Sequence, residues 1–372
     1  MKKSILKICF KPLTLINRMI KKDKNLIFFY SNLGFRDNVK AFYDYLIENQ
    51  YNKKFRIVVS ANDYEDFKND VPENVTFVSN RNGIRSFMKA KYAFYCFGKY
   101  PIKPSKNQNV INLWHGTPLK KIGNLEKGCE NIDYNFFSKV ITASEMYKTI
   151  MADIFGCSAE NVEVLGNPRN DEMFRAEEST DKEIRGNFEK VILWLPTYRE
   201  YDEDFVISTL NQEQLYELNE FLQKCNVGII IKLHPLQKAD IKAFRYTNIE
   251  FVTQAQLNNK KITVYTLLRN ADALITDYSS VYFDYMLLDR PIAFATDDIE
   301  KYKESRGFIF DNPKEYMPGM EIEKLADVKK FVTDVMEGVD NYKAQRREIN
   351  DRVNYYKDGE SCKRIAERFI RA

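Results

Sequence analysis

The sequence predicts an α/β protein built from two doubly wound domains. Three observations carry that prediction. From Asn25 onward, short β-rich runs alternate with helical segments, the pattern of parallel sheets with helices on both faces. This alternation occurs twice, on either side of a charged stretch at 175–190 that lacks a strong apolar period and reads as a linker. Finally, four unusual residue clusters each follow a β-rich run directly, where open α/β sheets bind their ligands. A chain of 372 residues suits two domains better than one core. With 44% apolar and 30% charged residues it is globular, not disordered.

The first set of expected strands is "LIFFYS" (26–31), "FRIVVS" (55–60), "VTFVS" (75–79), "YAFYCF" (92–97), "VINLW" (110–114), "KVITAS" (139–144) and "VEVLG" (162–166). Each is rich in β-branched or aromatic residues, and several are apolar without alternation, as strands buried on both faces are. Helical patterns fall at 38–49 and 144–156, with Ser144 as an N-cap and Gly156 as a stop. These make a first domain at 25–175. The second set is 190–196, a helix near 211–225, 227–235, 249–253, 271–277, a helix near 279–289, and 291–296. Mainly helical, charged residues close a second domain at 185–372.

Residues 1–24 stand apart. Lys2, Lys3, Lys7, Lys11, Arg18, Lys21, Lys22 and Lys24 face one acid, Asp23, an excess of positive charge larger than the whole chain's net +4. Ile5, Ile8, Cys9, Leu13, Ile16 and Ile20 fall on one helical stripe, and Pro12 is expected to kink or split the helix. A basic amphipathic segment of this kind lies on an anionic membrane surface, where each basic residue adds about 1 kcal/mol. The plainer reading is a first helix packed on its domain with a solvated basic face.

Several classes are excluded. The small net charge and the lack of any nucleic-acid motif argue against a nucleic-acid binder. Six scattered cysteines without a C-x-x-C pair argue against zinc and disulfide scaffolds and fit a reducing cytosol. No charge-free run approaches the roughly 18 residues of a membrane span. A cleavable signal peptide is not expected, since Lys7, Lys11 and Arg18 break the early apolar stretches.

The four clusters carry the chemistry. "WHGTPLKKIG" (114–123) holds His115, and Gly116 and Pro118 shape a turn that exposes its imidazole. Trp114 is expected to anchor the strand end. Lys120 and Lys121 either meet an anionic acceptor or are simply solvated. "LPTYRE" (195–200) supplies Arg199, a planar donor for phosphate oxygens, and "KLHP" (232–235) supplies His234 after a buried strand. "TDYSS" (276–280) puts two hydroxyls and free N–H groups at a helix start, a site for phosphate. Singly, these read as a surface arginine, a satisfied structural histidine and an ordinary N-cap. Together they say more. The chain has only two histidines, and each follows an expected strand, one per domain. One half then holds an anionic donor while the other presents a base.

"WHGTPLKKIG", "GNPRND" (166–171), "LPTYRE", "KLHP" and "ITDYSSVYFDYMLLDRPIAF" (275–294) resemble, in that order, the CDP-glycerol glycerophosphotransferase family. These enzymes prime and polymerise teichoic acids and related capsule polymers. The resemblance implies a GT-B-type fold of two Rossmann-like domains facing a cleft. It implies peripheral attachment to the cytoplasmic face of the membrane, with CDP-glycerol as donor and a lipid-linked saccharide or its growing chain as acceptor. The size is closer to the primase-like members. By resemblance His115 matches the catalytic base, and His234 a second essential histidine near the pyrophosphate. Arg199, Asp277, Ser279 and Ser280 match donor-binding positions, and Gly116, Thr117, Thr197 and Thr276 are grouped with them as substrate-binding. No metal ligand is assigned and no cofactor is required; Mg²⁺ as a phosphate counter-ion is compatible. The expected reaction is in-line displacement of CMP. The rivals are a CDP-ribitol enzyme, a GT-B glycosyltransferase using a nucleotide sugar, and a non-catalytic assembly scaffold on the membrane surface.

Overall fold

A computed structural model describes residues 2–176, 179–197, 210–233 and 246–370. The chain divides into two compact units. The first comprises Met1–Thr117, Ile122–Asp171 and Tyr355–Ala372; the second comprises Pro118–Lys121 and Glu172–Asn354. The expected limits of 25–175 and 185–372 do not divide the chain in this way, because 118–121 and the last helix change sides.

The first unit holds β1 (Asp23–Ser31), β2 (Arg56–Ala61), β3 (Val75–Val78), β4 (Ala90–Tyr95), β5 (Asn109–Asn112), β6 (Lys139–Thr142) and β7 (Val162–Val164). They form one sheet in the order β3-β2-β1-β4-β5-β6-β7, parallel throughout. Alternate residues of the apolar runs serve opposite faces. Ile27, Phe29, Ile57 and Phe94 pack with Val39, Phe42 and Leu46 of the helix Asp37–Glu48, and with Ile365 and Phe369 of the helix Ser361–Phe369. Phe28 and Tyr30 face the other way, onto Phe87 and Tyr100. Full burial of both faces is why β1 reads as continuous Leu-Ile-Phe-Phe-Tyr.

The last helix joins this unit through Asp171. The carboxylate accepts from Ser361 N at 2.9 Å and Cys362 N at 2.7 Å, satisfying free donors at a helix amino end. At the other terminus, the helix Lys2–Met19 runs unbroken across Pro12, so the expected split does not occur. Asn17 is buried and donates to Lys103 O at 3.0 Å and Gln108 Oε1 at 2.9 Å. Lys22 Nζ donates to Asn17 O at 2.8 Å, and burial lowers its ammonium to about 8. Leu15, Ile16 and Met19 are exposed. Among the described residues no helix is long and apolar enough to cross a membrane.

The second unit holds β8 (Lys190–Leu195), β9 (Val227–Lys232), β10 (Ile249–Val252), β11 (Ala273–Thr276), β12 (Ile292–Ala295) and β13 (Met320–Ile322). These too are parallel, in the order β10-β9-β8-β11-β12-β13. Ile192, Trp194, Ile229, Ile231 and Ile275 form its core with Leu215, Leu218 and Leu222 of the helix Gln212–Cys225.

Three expectations change. The stretch at 175–190 is no plain linker, because Ser179–Arg185 is a helix of the second unit with a buried Asp181. The helix expected from 144 spans Met146–Phe155 with Glu145 at its N-cap and Ser144 buried just before, while Gly156 ends it at φ 62° as expected. The helix expected at 279–289 is only Val281–Tyr285, followed by a 3₁₀ turn that stops at Asp289 in the left-handed region.

Candidate active site

A doubly wound sheet opens a crevice where its strand order reverses. In the first unit that point lies between β1 and β4. The two loops leaving it are joined by Asn32 N donating to Phe97 O at 3.0 Å. They pack so closely that a Cβ on Gly98 would lie 2.7 Å from Asn32 Cβ. His115 arrives from β5, the next strand along. Its ring stacks on Phe97 (centroids 5.1 Å apart, 17° between planes) and on Trp114 (3.8 Å, 28°).

The backbone that carries His115 is held in an unusual shape. Trp114 adopts φ 51°, a left-handed conformation that strains a bulky residue. Asn112 Oδ1 accepts from Trp114 N at 3.0 Å. Asn38 Nδ2 donates to Leu113 O at 2.9 Å and Trp114 O at 3.1 Å. The carbonyls of the loop are therefore anchored to the start of the helix Asp37–Glu48. The imidazole itself makes no hydrogen bond to a described residue. Burial among the rings lowers its pKa from 6.5 to about 4, with Asp37 acting upward and Arg169 downward. At neutral pH the ring is uncharged, the state a proton acceptor needs.

Gly116 follows at φ 114°, and a Cβ there would lie 2.2 Å from Arg169 Nη2. Only glycine lets the arginine in. Arg169 is 8% exposed, and its Nη1 donates to Asp37 Oδ2 at 2.9 Å. Its backbone N donates to Asn38 Oδ1 at 3.0 Å. Asn38 thus ties three segments together: the His115 loop, the helix start and the Gly-Asn-Pro-Arg loop after β7. Sequence reasoning assigned no role to Asp37, Asn38 or Arg169. The motif "GNPRND" was the available signal for Arg169. Asp37 had none, since the helix was expected to begin at Asn38. Thr117 is buried at 3% exposure.

The next four residues belong to the second unit. Ile309 N donates to Leu119 O at 2.9 Å and Lys121 N to Gly307 O at 3.2 Å. Lys120 pairs with Phe308 in an antiparallel bridge, and its ammonium lies 5.5 Å from the Tyr302 ring centre. Lys120 is therefore not simply solvated.

In the second unit the strand order reverses between β8 and β11. The loops leaving those strands carry two of the predicted clusters, and they meet. Asp277 Oδ2 accepts from Thr197 N at 2.8 Å, and its Oδ1 accepts from Thr197 Oγ1. Asp277 is 3% exposed. Thr276 is fully buried and donates to Leu195 O at 2.9 Å. Both therefore shape the crevice by holding the end of β8. Tyr278 is also buried and donates to Asp298 Oδ1 at 2.8 Å. Ser279 and Ser280 are half-buried and open the short helix Val281–Tyr285. Arg199 and His234 lie outside the described residues. The structure thus brings His115, Gly116 and Thr117 together in one unit, and Thr197, Thr276, Asp277, Ser279 and Ser280 together in the other. Among the described residues no group of three or more His, Cys, Asp or Glu is placed to hold a metal ion.

Known proteins are similar to this chain in sequence and fold. A sequence profile of the family described as CDP-glycerol:poly(glycerophosphate) glycerophosphotransferase matches residues 13–371. The chain is 28% identical over 394 residues to the teichoic acid poly(glycerol phosphate) polymerase of Bacillus spizizenii, covering 95% of this chain and 93% of that one. It is 25% identical over 356 residues to the teichoic acid glycerol-phosphate primase of Bacillus subtilis, with 90% and 89% covered. A solved variant of the wall teichoic acid polymerase TagF has the same fold, with a TM-score of 0.78 at 24% identity over 99% of this chain and 96% of that one. With the profile spanning nearly every residue, the chain belongs to the CDP-glycerol:poly(glycerophosphate) glycerophosphotransferase family.

Proposed function

We propose that this protein moves glycerol phosphate from CDP-glycerol to a hydroxyl of a lipid-linked saccharide or polyol-phosphate chain in teichoic acid or related polymer synthesis. The observation that carries this reading is the uncharged His115 imidazole on the loop after β5, beside the reversal point of its sheet. The acceptor oxygen attacks the β-phosphorus in line, its bond to phosphorus forms, and the bond from phosphorus to the CMP oxygen breaks. The hydroxyl proton passes to His115 and CMP departs. Positioning and charge stabilisation do most of the work in such transfers. In the second unit, Ser279, Ser280 and the Thr197 loop cradle the donor's phosphates, with Arg199 and His234 supplying positive charge and donors. The family name supports the glycerol donor, but matching relatives include poly(ribitol-phosphate) polymerases. The test is nucleotide release from CDP-glycerol, CDP-ribitol and UDP-sugars, followed by product mass. No CMP from CDP-glycerol would overturn the reading.

Asp277 gives a sharper expectation. Asp277→Ala removes two bonds that hold Thr197, worth about 0.5–1.5 kcal/mol each. The KM for donor rises about tenfold, while kcat at saturation falls less. Steady-state kinetics with varied CDP-glycerol measure the split.

The protein also lies on an anionic membrane surface through residues 1–24, at the cytoplasmic face. Exposed Leu15, Ile16 and Met19 beside exposed Lys11, Arg18 and Lys21 support this. Changing those three apolar residues to serine should weaken sedimentation with phosphatidylglycerol vesicles at least about tenfold. Binding that survives intact would refute the attachment.

A further inference from the structure

We infer that Asp37 and Arg169 are positioning residues for His115: Asp37 steadies the imidazolium as the ring takes a proton, and Arg169 locks Asp37 to the backbone of the His115 loop. The inference rests on the reading of His115 as proton acceptor.

Geometry places the pair against the residues that flank His115. Asp37 stands at the amino end of its helix at φ 62°, a left-handed conformation unfavourable for a non-glycine residue. That strain is maintained by specific contacts. Asp37 Oδ1 accepts from Asn38 N at 2.7 Å, and Oδ2 accepts from Arg169 Nη1 at 2.9 Å. The side chains of the pair are only 18% and 9% exposed, so water screens them weakly. The same guanidinium fills the space a side chain on Gly116 would need. Moving Arg169 therefore moves both the carboxylate and the residue after His115. Asn38, buried and bonded to Leu113 O, Trp114 O and Arg169 N, fixes the distance between these parts.

Among the described residues the charges around the ring are few. Asp37 and Arg169 act on it from the helix start and from the loop after β7. Arg36 lies 5.7 Å from the centre of Phe97, the ring on which His115 stacks. Cys96 is buried, and its thiol is pushed far up, so it stays uncharged. An imidazolium formed between two aromatic rings is poorly solvated and needs a counter-charge. Asp37 supplies it. Arg169 holds that carboxylate to the loop and opposes over-stabilising the protonated ring before substrate arrives. The two residues thus act on the imidazole with opposite sign, which a mere structural staple would not do.

The full chain offers a direct reading, because it has only two histidines. In a His234→Gln background a single imidazole remains, and its ¹H–¹³C NMR signal titrates His115 alone. The parent midpoint is expected near 4. Asp37→Asn should move it lower and Arg169→Gln higher, each on the order of one pH unit. With His234 intact, Asp37→Asn should cut kcat for CMP release about 10–100-fold and leave the KM for CDP-glycerol within about twofold, with Asp37→Glu recovering part of the loss. Thermal melts confirm that each variant is folded. Should Arg169→Gln fail to fold, Arg169→Lys keeps the charge and is expected to leave the midpoint in place while lowering kcat. Midpoints that stay put or shift together in the Asn and Gln variants, a displaced midpoint in Arg169→Lys, or an unchanged kcat in Asp37→Asn, overturn the inference. A parent chain that releases no CMP, or a folded His115→Gln variant that still turns over, overturns the base assignment instead.

Discussion

His115→Gln lowers kcat for CMP release by about 10²–10⁴-fold and leaves the protein folded, because the substitution removes a proton acceptor and little else. Glutamine fits the space beside Trp114 and Phe97 but has no basic nitrogen. The loop is held through its backbone by Asn38 and Asn112, not through the imidazole, so its shape persists. The KM for donor should barely change, since the proposed donor contacts belong to the second unit. A stopped nucleotide-release assay beside a thermal melt decides the matter. Near parental turnover in a folded variant would remove His115 from the chemistry. The pH dependence follows with a definite sign. A folded pKa of about 4, below the ordinary 6.5, means that protonating the ring is harder in the fold than in the unfolded chain. His115 therefore contributes its full share of stability above about pH 6.5, and that share is lost as the pH falls toward 4. In His115→Gln this part of the acid-side loss disappears, which denaturant melts between those two pH values measure.

Asp181→Ala destabilises the second unit by about 3–5 kcal/mol, the cost of leaving a buried charge without its partner. Arg269 Nη2 donates to Asp181 Oδ1 at 2.6 Å, and the two side chains are 9% and 5% exposed. Asn270 Nδ2 donates to the same oxygen at 2.7 Å. Alanine deprives both donors of this acceptor at a site water reaches poorly, and it removes one of the ties between the helix Ser179–Arg185 and the helix Val264–Asn270. Urea unfolding followed by circular dichroism is the measurement. A change below about 1 kcal/mol would mean that the pair is solvated and contributes as a surface pair does.

That same pair explains a failure of sequence reading. The helix Ser179–Arg185 is polar and short, and an interaction 88 residues away holds it in place. It offers no apolar period, so its stretch reads as a linker. β13 was missed for a related reason: Met320–Ile322 is three residues long and pairs only with β12. The other strands were legible because parallel strands covered on both faces leave unbroken apolar runs. The candidate site divides along the same line. His115 and Asp277 could be found because position alone marks them, at the ends of strands. Thr197 meeting Asp277 follows from β8 and β11 being neighbours, which the strand pattern does not announce. Asn38 and Arg169 meet across 131 residues, and Asn38 reaches Leu113 across 75. No local spacing encodes such a meeting. The backbone conformation of Asp37 leaves no trace in composition either, since a left-handed aspartate looks like any other.

The chain has two tryptophans, and the fold assigns one to each unit. Trp194 is buried in the core of β8 at 1% exposure, while Trp114 lies face to face with His115 at 3.8 Å. An imidazolium quenches indole emission more strongly than a neutral imidazole does. The fluorescence of the unmodified protein therefore has a constant source and a responsive one. In a Trp194→Phe variant the remaining light would come from beside the proposed base, reporting its charge and the arrival of anything that disturbs the stack.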